Sequence, residues 1–176
     1  MEIIIPQYVA AKYYLKDDGI FPNNKVLPVI LYKTVLDLPY LGAASAIAEL
    51  FSYNNWKNSW KDTVYNCHHY HSNTHEVLGV YKGSTHVQLG GENGEIVLLE
   101  KGDVLIIPAG VAHKNLEPKS RFKCVGAYPK GKHYDMLFGR DGERPMADHF
   151  IEKVPVPAQD PVFGYKPAEL QKQWSN

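Results

Sequence analysis

The sequence predicts an all-β fold, a sandwich or barrel of antiparallel strands with one short helix and an extended C-terminal arm. Three observations predict it. Short β-branched and aromatic segments recur at close spacing, nearly every one closes on a Gly- or Asn-containing turn, and a single stretch shows helical periodicity. Ahead of the strands, Asp17-Asp18-Gly19 and Pro22-Asn23-Asn24 are dense turn formers. Strands are expected over residues 26–32, 64–71, 76–81, 85–89, 96–99, 104–107 and 121–128. Lys82-Gly83, Gly90-Gly91, Asn93-Gly94 and Lys101-Gly102 separate them. In the last strand the alternation points Phe122, Cys124, Gly126 and Tyr128 inward together, leaving the other face out. The helix is expected over about 41–53. It is Ala-rich, places Leu41, Ala44, Ile47, Ala48 and Phe51 on one face, and is entered just after Pro39. Residues 53–60 read as a turn with Trp56 and Trp60 available for burial. From Pro129 the periodicity fades and prolines accumulate, so 129–176 reads as an arm wrapping the barrel. Its expected anchors are Phe150, Val154, Phe163, Leu170 and Trp174. The whole, 1–176, is expected to be one domain with its core barrel at about 26–128.

Composition excludes several classes of function. Lys plus Arg and Asp plus Glu are 19 each, so the formal charge is zero and a generic electrostatic nucleic-acid binder is not expected. At 44% hydrophobic and 12% aromatic residues the chain can build a core, against wholesale disorder. No apolar run approaches the roughly eighteen residues of a transmembrane helix. Residues 1–6 show neither a basic nor a long apolar leader segment, so a cytoplasmic location without membrane contact is expected. Two cysteines, Cys67 and Cys124, make no disulfide framework. The feature without a bland explanation is histidine: eight in all, four of them between positions 68 and 75.

His69 and His71 are two apart in an expected strand and leave the same face. Glu76 opens the next strand, and His113 follows a later Pro-x-Gly turn. Imidazole nitrogen suits Fe, Ni, Cu and Zn, and a carboxylate adds compatibility with Mn. Brought together inside a barrel, these four would bind one divalent ion per chain and leave positions open for water, substrate or dioxygen. A buried carboxylate beside three imidazoles also needs compensation, which a cation supplies.

The same residues resemble the cupin motifs. His69-Tyr70-His71-Ser72-Asn73-Thr74-His75-Glu76, with six further residues to Gly83, is similar to the first. Thr63 stands where that motif begins with glycine, which touches a turn and no ligand. Gly102, five residues, Pro108-Ala109-Gly110, two residues and His113 resemble the second. Its closing Asn falls on Glu117, with Asn115 close by. Residues 14–24, 55–60, 68–71 and 160–164 resemble the YjlB-like single-domain cupins over nearly the whole chain. The resemblance implies a double-stranded β-helix, or jelly-roll, with metal capacity, and names no substrate.

Plainer readings stand beside the sharper ones. His75 should face away from Glu76, although a β-bulge would let it replace Glu76 as a ligand. His68 opposes His69 and reads as packed or at the surface, and His86 has no assigned role. Tyr65, Cys67, Phe122, Cys124 and Tyr128 are candidates to line the pocket, against ordinary packing for the tyrosines and small-hydrophobe roles for the cysteines. Gly90 to Gly94 reads as a hairpin loop and no phosphate cradle, and Asp17-Asp18-Gly19 as a turn and no calcium site.

Three functions fit. The first is a metalloenzyme acting on a small polar or anionic molecule by dioxygenase, isomerase or lyase chemistry. The second is a binding or sensing module without turnover. The third is a structural or storage protein stabilised by its metal. Apolar Ile3-Ile4-Ile5, with no evident partner strand in its own barrel, further suggests a homodimer sealed through a sheet edge.

Overall fold

The computed structural model describes residues 3–175. In chain order its elements are β1 (Val9–Tyr13), β2 (Val29–Lys33), α1 (Ala43–Tyr53), β3 (Trp56–Asp62), β4 (Glu76–Lys82) and β5 (Ser84–Leu89). They continue with β6 (Glu95–Glu100), β7 (Val104–Ile107), β8 (His113–Asn115), β9 (Lys123–Pro129), α2 (Met146–Glu152) and α3 (Glu169–Trp174). Two antiparallel sheets form, ordered β1-β2-β7-β4-β9-β3 and β6-β5-β8, as a jelly-roll requires. No helix of the described residues is long and apolar enough to cross a membrane.

Side-chain parity sorts the large sheet into two cores. Leu78 and Val80 of β4, Leu105 and Ile107 of β7, and Cys124 of β9 meet Val87, Leu89, Val97 and Leu99 of the small sheet. Their neighbours Val77, Val104, Ile106, Val125 and Ala127 face the opposite way, against α1 and the C-terminal arm. The expectation that one face of the last strand points out is therefore corrected: both of its faces are buried. Such a two-sided strand reads as a continuous apolar run because each face has its own cover. At about 25 cal/mol per Å² of apolar surface removed from water, the second core contributes as the first does.

Helix α1 lies on this outer face through Ile47 and Phe51, both fully buried, while Leu41 falls before its first turn and is 80% exposed. Gly79 permits the close approach: a Cβ there would stand 2.7 Å from Ile47 Cγ2 and 2.9 Å from Phe51 Cζ. The stretch expected as a turn after the helix is instead β3. Asn54-Asn55 makes the turn, with Asn55 at φ 63°, and β3 then pairs with β9 around an irregularity between Lys57 and Trp60.

The segment 64–71 is not a regular strand. His69 bridges His113 and Tyr70 bridges Leu137, so this stretch is shared between β8 and the arm. Parity nevertheless holds, with His69 and His71 on one side and Tyr70 packed against Phe21 and Ala147 on the other.

Ile3-Ile4-Ile5 has a partner within the chain. Ile5 N–H donates to Val35 O (2.8 Å), Asp37 N–H donates to Ile3 O (2.8 Å), and Ile3 is buried in the outer core. The sequence argument for a dimer through this segment is thereby removed.

The arm is built of short helices and pinned loops. Val162, Leu170 and Trp174 are its buried anchors, whereas Phe150 is 46% exposed and Val154 only half-buried. Buried Asp160 accepts from Tyr32 Oη (2.6 Å) and from the Val162 (2.8 Å) and Phe163 (3.0 Å) N–H groups. Trp56 Nε1 donates to Gln159 O and Trp174 Nε1 to Pro28 O, each at 2.9 Å. Arg144 spans Asp17 and Asp148, tying the arm to the early turn. Paired polar groups of this kind let the arm bury its backbone without leaving donors unsatisfied.

Candidate metal centre

A cavity of about 350 Å³ opens between the sheets, and His69, His71, Glu76 and His113 stand in its wall. Glu76 shares parity with Leu78 and Val80, which is why its carboxylate points inward. His113 begins β8 opposite His69, and His71 follows two residues on from His69. One ring nitrogen of each histidine lies within 4.8 Å of the corresponding atoms of the other two, and all three side chains are buried. Glu76 Oε2 is 3.4 Å from His71 Nε2 and 3.2 Å from His113 Nε2.

The opposite edge of each ring is fixed by the main chain. His69 Nδ1–H donates to Cys67 O and His113 Nδ1–H to Val111 O, both at 3.1 Å, and His71 Nδ1–H donates to the Asp135 carbonyl. These bonds assign the proton to Nδ1 in the neutral rings and leave Nε2 as a lone pair. Two such lone pairs then face a carboxylate oxygen, acceptor against acceptor. A cation at the focus relieves that arrangement, so the donor set fits a metal ion.

Without a cation at the focus, protons meet the same opposition in its place. Burial, seconded by the charge of His113, pushes His69 down to about 3, so it stays neutral. Burial acts to raise Glu76, but the charges and hydrogen bonds of His71 and His113 hold its carboxyl well below the usual range. Burial also acts to lower His71, and the charge and hydrogen bond of Glu76 outweigh it and raise the group.

Glu76 is oriented from behind. Tyr128 Oη donates to Glu76 Oε1 (2.8 Å) and accepts from Trp60 Nε1–H (2.8 Å). Burial, then the Glu76 charge, raises the Tyr128 phenol, which keeps its proton available for this bond. Gly126 lets Trp60 lie here, since a Cβ would stand 2.1 Å from Trp60 Cε2. Tyr134 stacks on Tyr128 with centroids 4.7 Å apart, and Tyr65 meets His69 edge-on at the mouth, 60% exposed.

Of the expected lining residues, Tyr65 and Tyr128 line the cavity and three do not. Cys67 is exposed and contributes only its carbonyl. Phe122 and Cys124 lie deeper, in the core between the sheets, and burial raises the Cys124 thiol well above its ordinary range. His75 does not join the cluster. Its Nδ1 accepts from Ala109 N–H (2.9 Å) and its ring packs on Trp174 beneath the arm, so no bulge turns it inward. Sequence reasoning missed Trp60, Tyr134, Met136 and the orienting Asp135. Only the aromatic pairing of Trp56 with Trp60 offered a signal.

A family model described as Cupin matches residues 65–132. The uncharacterized protein YjlB of Bacillus subtilis (strain 168) is 39% identical over 160 residues, covering 90% of this chain and 93% of that protein. Among solved structures, acireductone dioxygenase from Bacillus anthracis with cadmium ion in its active centre is 15% identical with a TM-score of 0.41. That match covers 74% of this chain and 83% of the other. An uncharacterized conserved protein with a double-stranded β-helix domain from Klebsiella pneumoniae subsp. pneumoniae MGH 78578 is 15% identical with a TM-score of 0.35. It covers 77% and 82% of the two chains.

Proposed function

Because this chain belongs to the cupin family, among its YjlB-like members, we propose that it is a metal-dependent enzyme acting on a small polar molecule. His69, His71, Glu76 and His113 would hold one divalent ion of Fe, Mn, Ni, Cu or Zn. The observation that supports this best is the set of three converging imidazoles, each fixed through Nδ1, with one buried carboxylate against two of them in an open cavity. A bound ion supplies Lewis-acid polarisation of a substrate oxygen and, where redox-active, electron transfer.

The chain's own residues do the rest. Tyr128, held by Trp60, keeps Glu76 in one orientation, and Asp135 keeps His71 in its tautomer. Tyr65, Trp60 and Tyr134 offer aromatic faces to a bound molecule, and Leu78 and Met136 exclude water from its sides. Among the described residues no lysine or arginine lines this cavity, so an anion would find no organic cation to clamp it. That favours the polar half of the expected substrate class.

The test is elemental analysis of chain purified without an affinity tag, then aerobic and anaerobic metabolite screens with the ion found. One ion per chain with consumption of a metabolite is expected. Iron with oxygen uptake selects dioxygenase chemistry, while turnover without oxygen selects an isomerase or lyase. Tight binding without turnover transfers the reading to a sensing module, and a chain that holds no ion overturns it. Tyr128→Phe is expected to keep the fold and lower metal affinity about 10–100-fold, the range for losing an outer partner of a ligand. Competition with a chromogenic chelator measures it, and unchanged affinity removes Tyr128 from the design.

A further inference from the structure

A second, larger cavity of about 540 Å³ lies on the other side of the loop that joins His71 to Glu76. Asn73, Thr74 and His75 form its inner wall, and residues 154–158 of the arm lie over it. Its body is apolar, with Trp56, Phe150, Val154 and Pro155. Its charged residues are of one sign only. Lys130, Lys132 and Lys153 line it, and no aspartate or glutamate does. All three are solvent-exposed, and among the described residues none has a carboxylate within ion-pairing distance. The charged lining of the cavity is therefore wholly cationic, in a chain of zero net charge.

Two further features mark the place. Lys130 is held in left-handed backbone, φ 55°, with its N–H donating to Asn55 O at 2.7 Å; such conformations cost free energy in a residue with a side chain. His75 is 1% exposed, and since Nδ1 accepts from Ala109 its proton is on Nε2. That buried nitrogen makes no geometric hydrogen bond, with the Pro155 main chain near enough to act on it.

We propose that this cavity binds a small amphipathic anion: a carboxylate, sulfonate or phosphate on an apolar body. The body lies against Trp56, Val154 and Pro155, and the head lies among Lys130, Lys132 and Lys153. Apolar burial supplies affinity and the lysines select charge and speed capture.

The probe is 1-anilinonaphthalene-8-sulfonate, titrated by fluorescence into the folded, chelator-treated full chain. N-phenyl-1-naphthylamine carries the same rings without charge. One sulfonate per chain is expected, bound at least about tenfold tighter than the neutral amine at low salt and weakening as salt is added. Dodecanoate should displace it where the natural ligand is a fatty carboxylate, and phenyl phosphate where it is an aryl phosphate. The combined Lys130→Gln, Lys132→Gln and Lys153→Gln chain is expected to lose about tenfold or more in affinity, and the three Lys→Arg changes to retain it. Ala158→Trp, which fills the cavity from the arm, should abolish binding and leave the histidine cavity intact. Equal affinity for the neutral amine, or unchanged binding in the glutamine or tryptophan variants, overturns the proposal.

Discussion

The His71→Ala chain is expected to fold and to hold no metal. His71 contributes one of three converging nitrogens, and its ring is oriented by the Asp135 carbonyl and faces Glu76. Losing an outer partner already weakens metal sites by about 10–100-fold, so losing the nitrogen itself should exceed about 100-fold. With free ion at 100 times the parent's dissociation constant the parent gains about 2.7 kcal/mol of stability, and a variant weakened more than about 100-fold should gain less than about 0.4 kcal/mol. Equilibrium dialysis with elemental analysis measures the first effect, and thermal unfolding with and without ion the second. His149→Ala, on the exposed face of α2, is the control. Full occupancy in the His71 variant would defeat the ligand assignment.

Trp174→Ala is expected to cost about 3–5 kcal/mol, the range for removing a buried tryptophan. Trp174 is 1% exposed, packs on His75 and donates to Pro28 O. Its removal leaves a cavity in the outer core and an unpaired buried carbonyl together. Trp174→Phe keeps most of the ring and should cost less, about 1–2 kcal/mol, chiefly the hydrogen bond and the lost volume. Urea unfolding followed by circular dichroism measures both. A loss under about 1 kcal/mol for the alanine variant would show that the arm is an appendage, not part of the core.

The legible parts of this molecule are those with a strong local period. β4 to β7 announce themselves by β-branched runs between glycine turns, and α1 by Ile47 and Phe51 one turn apart. The convergence of His69, His71 and His113, with Glu76 against the last two, was readable because two parity arguments and a motif spacing agreed. β3 was hidden because Trp56-Lys57-Asn58-Ser59-Trp60 mixes polar residues with an irregular register, with Asn58 at φ 55°. Cys67 is turned out to solvent while Tyr65, of the same parity, lines the cavity, because 64–68 makes no ladder to hold every side chain to its face. The helices of the arm, seven and six residues long, are too short to show a period. Asp135, Tyr134 and Met136 reach the centre from some sixty residues downstream of His71, and nothing in their neighbours says so.

That reach across the chain has a consequence for biosynthesis. All three histidines and Glu76 leave the ribosome before residue 135 does, because synthesis runs from the N-terminus. Until Asp135 emerges and its carbonyl receives the imidazole, His71 is free to rotate or to protonate on the wrong nitrogen. Tyr70 likewise waits for Leu137 to complete its two backbone bonds. On the proposed reading, a nascent chain stalled upstream of this point would hold a metal ion less tightly than the finished polypeptide.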